Sequence, residues 1–205
     1  MVSFRINYFP SLGEQMAHLF NRNVLLGVSG GIAAYKSAEL VRQLQELGAS
    51  VRVIMTRGAQ EFITPLTLQA LSGNPVHTEL LDEHAELGMG HIELARWADL
   101  LLIAPATANT LAKLAHGLAD DPLGCVALAL RPEAKVLVAA AMNGSMWRHP
   151  ATVANVATLT AWGAEFIGPD EGLLSCGYEG IGRLWPVDEI ANRALELLGL
   201  EQAND

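Results

Sequence analysis

Four loops of this chain combine residue types that could hold a phosphorylated ligand. In the first, Ser29, Gly30 and Gly31 follow the apolar run 24–26 and precede an amphipathic segment that begins at Ile32. This order predicts a strand, a turn and a helix, which together present backbone N–H groups to an anion. The spacing is not G-x-G-x-x-G, and no acidic residue ends the next strand, so a mononucleotide is favoured over a dinucleotide such as NAD. The glycines could alternatively serve only to pack the helix closely on the sheet.

Three later loops are rich in small, hydroxyl and amide residues, and each follows another apolar run. Their candidate binding residues are Thr56 in the second loop, Thr107, Ala108, Asn109 and Thr110 in the third, and Met142 and Asn143 in the fourth. Ligands of parallel α/β sheets bind beyond the carboxyl ends of the strands, so we expect the four loops to converge on one site. Taken alone, Thr107 could be no more than the N-cap of a helix.

The order of apolar runs and amphipathic segments predicts the fold. The predicted strands are 24–29, 51–55, 100–104, 135–140 and 165–167, and the predicted helices are 32–47, 60–72, 109–116, 122–130, 150–162 and 187–198. The strand segments are continuously apolar, which is typical of parallel strands covered on both faces. We therefore predict a single α/β domain over 23–199, a Rossmann- or flavodoxin-like doubly wound parallel sheet with helices on both faces.

Composition narrows the class of protein. Of the 205 residues, 51% are hydrophobic and 17% are charged, which points to buried subunit interfaces. The net charge of -9 argues against non-specific nucleic-acid binding, and no run approaches the roughly 18–20 apolar residues of a membrane span. Two cysteines without metal-like spacing indicate a reducing cytoplasm and no metal site. Residues 1–22 lack the apolar core of a signal peptide and are interpreted as an N-terminal extension, and 200–205 as a C-terminal tail.

Two further residues could transfer protons. His91 follows Gly90 and lies shortly before the predicted strand 100–104, near the expected ligand edge of the sheet. Its imidazole titrates near neutral pH, although a lone histidine is often a surface or core residue. Cys176 lies in a glycine-rich segment that is typical of a mobile flap. Cys125, by contrast, lies in an apolar helical segment and is expected in the core.

Five motifs of this chain, taken together, resemble those of the flavin-containing cysteine decarboxylases. They occupy 27–36, 90–94, 104–110, 141–147 and 176–183, in the same order as in that family, and the resemblance extends over about 23–198. The resemblance implies FMN as the cofactor. It also implies that the FMN-binding residues are Ser29, Gly30, Gly31, Ile32, Ala33, Thr56, Thr107, Ala108, Asn109, Thr110 and Met142.

The resemblance further implies a reaction and three catalytic residues. The expected reaction is the decarboxylation of 4′-phospho-N-pantothenoylcysteine to 4′-phosphopantetheine in coenzyme A biosynthesis, through a thioaldehyde and an enethiolate. His91 resembles the acid–base residue of the oxidative decarboxylation. Asn143 resembles the residue that binds the substrate carboxylate or its neighbouring amide, and Cys176 the flap acid that protonates the enethiolate.

The resemblance also implies partners. Members of the family are homotrimers, or dodecamers built of trimers, in which neighbouring subunits share an active site. The domain is often fused to a phosphopantothenoylcysteine synthetase, so we expect this chain to be either free-standing or one half of such a protein.

Two other functions remain open at this point. One is the oxidative decarboxylation of a C-terminal cysteine on a ribosomal peptide, which the departure from the family at Ala140, usually a proline, keeps under consideration. The other is a non-decarboxylating flavoprotein, such as a flavin prenyltransferase or a regulatory binding protein. Cys176 favours the coenzyme A reaction, because a reaction that stops at the enethiol needs no final reduction.

Overall fold

The computed structural model describes residues 22–80, 90–173, 177 and 179–199. Its strands are β1 (Asn23–Val28), β2 (Ser50–Met55), β3 (Val76–His77), β4 (Leu100–Ala106), β5 (Lys135–Ala140), β6 (Glu165–Ile167), β7 (Asp170–Leu173) and β8 (Glu179–Arg183). Its helices are α1 (Ser37–Glu46), α2 (Pro65–Ser72), α3 (His91–Trp97), α4 (Ala108–Ala115), α5 (Pro122–Ala129), α6 (Gly144–Trp147), α7 (Pro150–Ala161) and α8 (Val187–Leu197). Short 3₁₀ helices at Ile32–Lys36 and Ala59–Glu61 precede α1 and α2.

The main sheet is parallel and doubly wound, as predicted. Its strands follow the order β3-β2-β1-β4-β5-β6, and each neighbouring pair runs in the same direction. The chain winds outward in opposite directions from β1 and β4, so the loops after these two strands diverge and leave a crevice between them. The fold therefore provides a ligand site at the edge where the first and third polar loops were expected.

Alternation along the strands divides the core between the two faces of the sheet. In β1, Leu26 and Val28 belong to the cluster that packs against α1 and α8, whereas Leu25 belongs to the cluster beneath α3, α4 and α5. All three side chains are fully buried. Because successive strand residues point to opposite faces, a strand covered on both sides is apolar at every position, which explains the continuous runs in the sequence.

Two predicted helices begin later than expected. The segment 32–47 starts as a 3₁₀ helix and becomes α-helical only at Ser37. The second helix starts at Pro65, not at residue 60, and Thr64 caps it by accepting a hydrogen bond from the Thr67 N–H. Proline fixes its own φ and favours an extended residue before it, so Pro65 marks the first turn of the helix.

The sequence did not indicate β3, α3, α6 or the small antiparallel hairpin of β7 and β8. The hairpin flanks the segment that was expected to form a flap. Cys176 lies outside the described residues, as do 1–21 of the N-terminal extension and the tail 200–205.

Candidate functional site

A cavity of about 730 Å³ opens at the carboxyl edge of the sheet, between the loops that follow β1, β4 and β5 and strand β8. Its volume lies within the range of roughly 300–1,000 Å³ that is usual for ligand pockets. Of the residues predicted from the sequence, those that line it are Gly30, Gly31, Ile32, Ala33, Thr107, Ala108, Asn109, Met142 and Asn143. Three of the four predicted loops thus meet at one site.

Ser29 joins the loops after β1 and β4 from behind this lining. Its hydroxyl donates a hydrogen bond to the Pro105 carbonyl at 2.7 Å and accepts one from the Thr107 N–H at 3.0 Å. The Ser29 side chain is buried and is not among the residues that line the cavity. Its two partners, Pro105 and Thr107, do line the cavity. Since a buried hydroxyl with both functions satisfied is held firmly, Ser29 fixes the spacing of the two loops.

Thr107 has both of the roles that the sequence left open. It is the N-cap of α4, where its hydroxyl accepts the Thr110 N–H at 3.3 Å, and it also lines the cavity. Ala108 and Asn109, in the first turn of α4, line the cavity beside it. The positive end of the α4 dipole therefore lies at the site, which favours an anionic ligand there. Thr110 is buried behind the lining, within hydrogen-bond distance of Thr107.

The backbone of Gly30 packs directly against the loop that follows β2. A Cβ atom at Gly30 would lie 2.5 Å from the carbonyl carbon of Gly58 and 2.7 Å from its oxygen, closer than real contacts allow. Thr56, in the same loop, donates its N–H to the Val28 carbonyl at 3.0 Å and is not among the residues that line the cavity. The second loop thus supports the first by contact. Sequence reasoning missed Gly58, although a glycine two residues beyond Thr56 indicates a close turn.

The fourth loop brings Met142 and Asn143 to the opposite side of the cavity. Asn143 is the N-cap of α6, and its Oδ1 accepts the Ser145 N–H at 2.8 Å. The Met142 N–H donates to the Gly182 carbonyl of β8 at 3.0 Å. This loop is therefore held by the hairpin, an element that the sequence did not predict.

Lys36 and Arg183 are the charged residues that line the cavity within the part of the chain that the structure describes. The Arg183 guanidinium donates through Nε to Asp170 at 3.1 Å, and this hydrogen bond holds the pKa of the Asp170 carboxyl below its usual value. Lys36 is the last residue of the motif 27–36 and Arg183 is the last residue of the motif 176–183, but neither was predicted to have a role. Their charge suits an anionic ligand despite the negative net charge of the chain.

The structure does not bring His91 into this cavity. His91 is exposed at the start of α3, whose buried residues Leu94 and Ala95 pack with Leu25 on the face of the sheet away from α1.

Cys125 is half-buried on α5 rather than in the core, because its thiol donates to the Ala119 carbonyl at the helix edge. Burial raises the pKa of the Cys125 thiol, so it is protonated at neutral pH.

No three His, Cys, Asp or Glu side chains in the described ranges are grouped as they would be around a metal ion. No helix in those ranges combines the length and apolar character needed to cross a bilayer.

Comparison with known families decides how this site is classified. The family model described as Flavoprotein matches residues 12–199 of this chain. The chain belongs to the Flavoprotein family. Curated relatives of this Flavoprotein-family chain include the coenzyme A biosynthesis bifunctional protein CoaBC of Vibrio vulnificus strain YJ016, 54% identical over 169 residues, and that of Escherichia coli strain K12, 52% identical over 166. These alignments cover 82% and 81% of the chain but 42% and 40% of the relatives, so it spans about two fifths of their length.

Solved structures of similar proteins share the whole fold. A cysteine-to-serine mutant of PPC decarboxylase complexed with pantothenoylaminoethenethiol is 34% identical, with a TM-score of 0.74, over 84% of this chain and 96% of that one. The FMN-dependent cysteine decarboxylase SpaF is 32% identical, also with a TM-score of 0.74, over 87% and 97% of the two chains. The Flavoprotein-family fold seen here is thus that of enzymes named for decarboxylation.

Proposed function

We propose that this chain catalyses the FMN-dependent decarboxylation of 4′-phosphopantothenoylcysteine to 4′-phosphopantetheine. The observation that carries the proposal is the convergence of three polar loops and β8 on one cavity at the edge of the sheet. Similarity to PPC decarboxylase over 96% of that chain, and to CoaBC proteins at above 50% identity, supports this substrate.

The residues around the cavity fit FMN. Gly30 packs without a side chain against Gly58, Gly31 places no side chain in the cavity that it lines, and the backbone that follows opens the 3₁₀ helix over Ile32 and Ala33. The first turn of α4 supplies further N–H groups at Ala108 and Asn109. We infer that these groups hold the cofactor, with Met142 beside it and Ser29, Thr56 and Thr110 supporting from behind. When bound, FMN supplies a two-electron acceptor that takes a hydride from the substrate and returns it, so the overall reaction needs no NAD(P).

The polar residues of the chain then take the remaining parts of the reaction. Asn143, on the cavity wall, binds and orients the substrate carboxylate or its neighbouring amide. His91 acts as the acid–base residue of the oxidative decarboxylation, since an imidazole holds and releases a proton near neutral pH. Cys176 protonates the enethiolate in the final reduction. Removal of the carboxylate leaves electrons next to the thiocarbonyl carbon, and closing the site to water protects that intermediate.

We propose that a second copy of the chain completes this site. Ile32 and Tyr35 line the cavity yet are each 58% exposed, so an apolar wall of the site faces outward. Apolar surface of this kind marks interfaces between subunits. His91 lies on the other face of the same subunit, and a neighbour in a homotrimer can bring its own His91 to the open wall. The proposed assembly is such a trimer or a dodecamer built of trimers. The proposed location is the cytoplasm, and a phosphopantothenoylcysteine synthetase is the proposed protein partner.

Product analysis tests the reaction directly. The purified protein, yellow with bound FMN, is incubated with phosphopantothenoylcysteine and separately with a peptide that ends in cysteine, and the products are identified by mass spectrometry. We expect phosphopantetheine from the first substrate and no change in the second. Conversion of the peptide alone would favour the second candidate, the decarboxylation of a C-terminal peptidyl cysteine. Flavin-loaded protein that converts neither compound would contradict both candidates, as would protein that cannot be loaded with FMN.

The proposed role of Cys176 has a separate test. Cys176→Ser is expected to release CO₂ while accumulating the oxidised enethiol, because the final protonation is lost. A normal yield of phosphopantetheine from this variant would contradict the role.

A further inference from the structure

We propose that Gly182 and Gly144 are positioning residues that fix Asn143 through a backbone contact with the hairpin. We call this contact the glycine clasp: Gly182 and Ile181 of β8 against Met142 and Gly144, the two neighbours of Asn143. The inference rests on the proposed function, because it explains how that function places its carboxylate-binding amide.

Gly182 supplies the closer half of the clasp. Its carbonyl accepts the Met142 N–H at 3.0 Å, so β8 and the Asn143 loop are joined by a backbone hydrogen bond. A Cβ atom at Gly182 would lie 2.0 Å from the Met142 carbonyl oxygen and 3.3 Å from the Gly144 nitrogen. Gly182 also has a φ of +143°, which L side chains rarely adopt. Glycine is therefore required here both by the contact and by the backbone conformation.

Gly144 supplies the other half. It is buried as the first residue of α6, and a Cβ atom there would lie 2.6 Å from the Ile181 carbonyl oxygen. Real Cβ atoms do not approach an oxygen so closely. Asn143 therefore lies between two residues that each touch the backbone of β8 without an intervening side chain.

The clasp transmits the position of the hairpin to Asn143. The Asn143 side chain is fixed to α6 by accepting the Ser145 N–H, so the residue moves with the helix that Gly144 begins. In the other direction, β8 begins at Glu179, three residues after Cys176 along the chain. The hairpin strand that holds Asn143 in place is thus also close in sequence to the group assigned to the final protonation. Misplacement by about 1 Å can cost on the order of 100-fold in rate, so such a contact matters for catalysis.

The clasp is separate from the contacts that form the cofactor side of the cavity. That side is held by Ser29, which bonds Pro105 and Thr107, and by Gly30 packed on Gly58. None of these residues contributes to the clasp. Of the residues assigned to FMN, the clasp includes Met142 alone, and it holds that residue through its backbone, so damage to the clasp should weaken substrate binding far more than FMN binding.

The test compares Gly182→Ala, Gly144→Ala, the double variant and a matched control, all as FMN-loaded protein. The control is Gly73→Ala, since Gly73 has a φ of +70° with nothing within 4 Å of an added Cβ, so it carries backbone strain without a clash. We expect each clasp variant to lower kcat/KM for phosphopantothenoylcysteine about 10- to 100-fold, mostly through KM. The FMN dissociation constant should change less than about threefold, a free-energy change below about 0.7 kcal/mol. The double variant should be little worse than the poorer single variant, because both break one contact.

Hydrogen exchange gives a readout that does not depend on the reaction. In either clasp variant, the amides of Met142 and of α6 should exchange faster than in the parent, whereas those of the first and third loops should not. If the parent protein converts no phosphopantothenoylcysteine, the proposed function fails, and the exchange result still decides whether the clasp exists. Should Gly182→Ala not fold, Gly144→Ala, with an ordinary helical backbone, is judged by the same criteria. Unchanged exchange and KM in a folded clasp variant, or loss of FMN in parallel with activity, would overturn the proposal.

Discussion

The two sides of the cavity are built differently. On the cofactor side, a buried serine bonds two loops, and one glycine backbone packs on another. On the substrate side, Asn143 lies on a four-residue helix against a two-stranded hairpin, and the ion pair of Arg183 with Asp170 is partly exposed. The contacts described for the first side lie within one chain, whereas the second side is held by the hairpin, and the proposed function adds Cys176 and a neighbouring subunit to the site. This division suits the proposed reaction, in which FMN stays bound while substrate and product are exchanged.

The largest effect expected is the loss of CO₂ release in His91→Asn, which tests whether chemistry and cofactor binding are separable. Removal of an acid–base residue lowers kcat by about 10²- to 10⁴-fold. FMN should remain bound, because His91 does not line the cavity of its own chain. Single-turnover CO₂ release and flavin absorbance measure the two properties. His116→Asn, an exposed histidine at the end of α4, is the control. Full activity in His91→Asn would remove His91 from the mechanism.

Mixed oligomers sharpen this prediction. If neighbouring subunits share a site, co-expressed His91→Asn and Asn143→Ala chains should regain part of the activity that each lacks alone, because some sites then contain both natural residues. Sites built within one chain would regain none, and that result would contradict the shared site.

The next effect in size concerns the cofactor side. Gly30→Ala should weaken FMN binding about 10- to 100-fold, since overpacking costs about 1–3 kcal/mol and here forces the first loop away from Gly58. Fluorescence titration of the apoprotein measures the affinity. Gly73→Ala is the control, because Gly73 does not line the cavity and nothing lies within 4 Å of its added Cβ. Equal losses in both variants would show that contact with Gly58 is not the cause.

A smaller effect is expected from removing the hydroxyl that joins the two loops. Ser29→Ala leaves the Pro105 carbonyl and Thr107 N–H without this partner and should lower the free energy of unfolding by about 1–3 kcal/mol. Urea denaturation of the apoprotein measures it. Thr158→Ala removes an exposed helical hydroxyl that bonds Ala154, and should change the stability far less. A similar loss of unfolding free energy in both variants would mean that the buried hydrogen bonds of Ser29 stabilise the fold no more than an exposed one does.

The smallest effect is expected at the Asp170–Arg183 pair on the substrate side. Because Arg183 lowers the pKa of Asp170 in the folded state, the stability from this pair is complete above the ordinary carboxyl pKa of about 4 and is lost as the pH falls through the lowered value. Partly exposed pairs contribute at most about 1 kcal/mol. Asp170→Asn should therefore reduce the free energy of unfolding slightly at pH 7 and not at all at a pH below the lowered pKa of Asp170. A constant difference between pH 7 and pH 2.5 would refute this assignment.

The same contrast explains what could be predicted from the sequence. The parallel sheet was predictable because buried strands such as β1 are apolar at every position, and the cofactor loops followed from their places after the strands. The hairpin of β7 and β8 could not be predicted, because Gly172, Gly180 and Gly182 interrupt any alternation of apolar and polar residues along it. Gly58 and Gly182 act through close backbone contacts that only the folded chain creates. Of the predicted site, the catalytic roles of His91, Asn143 and Cys176 remain predictions.

The bonds of Ser29 to Pro105 and Thr107 also have a consequence for biosynthesis. They join residues 76 and 78 positions apart, so this edge of the cavity cannot form until a nascent chain has extended beyond β4 and paired it with β1. A flavin present at 100 times its dissociation constant would then stabilise the finished domain by about 2.7 kcal/mol. Under riboflavin starvation, newly made protein would lack that stabilisation, and its steady-state level would fall with the supply of the vitamin.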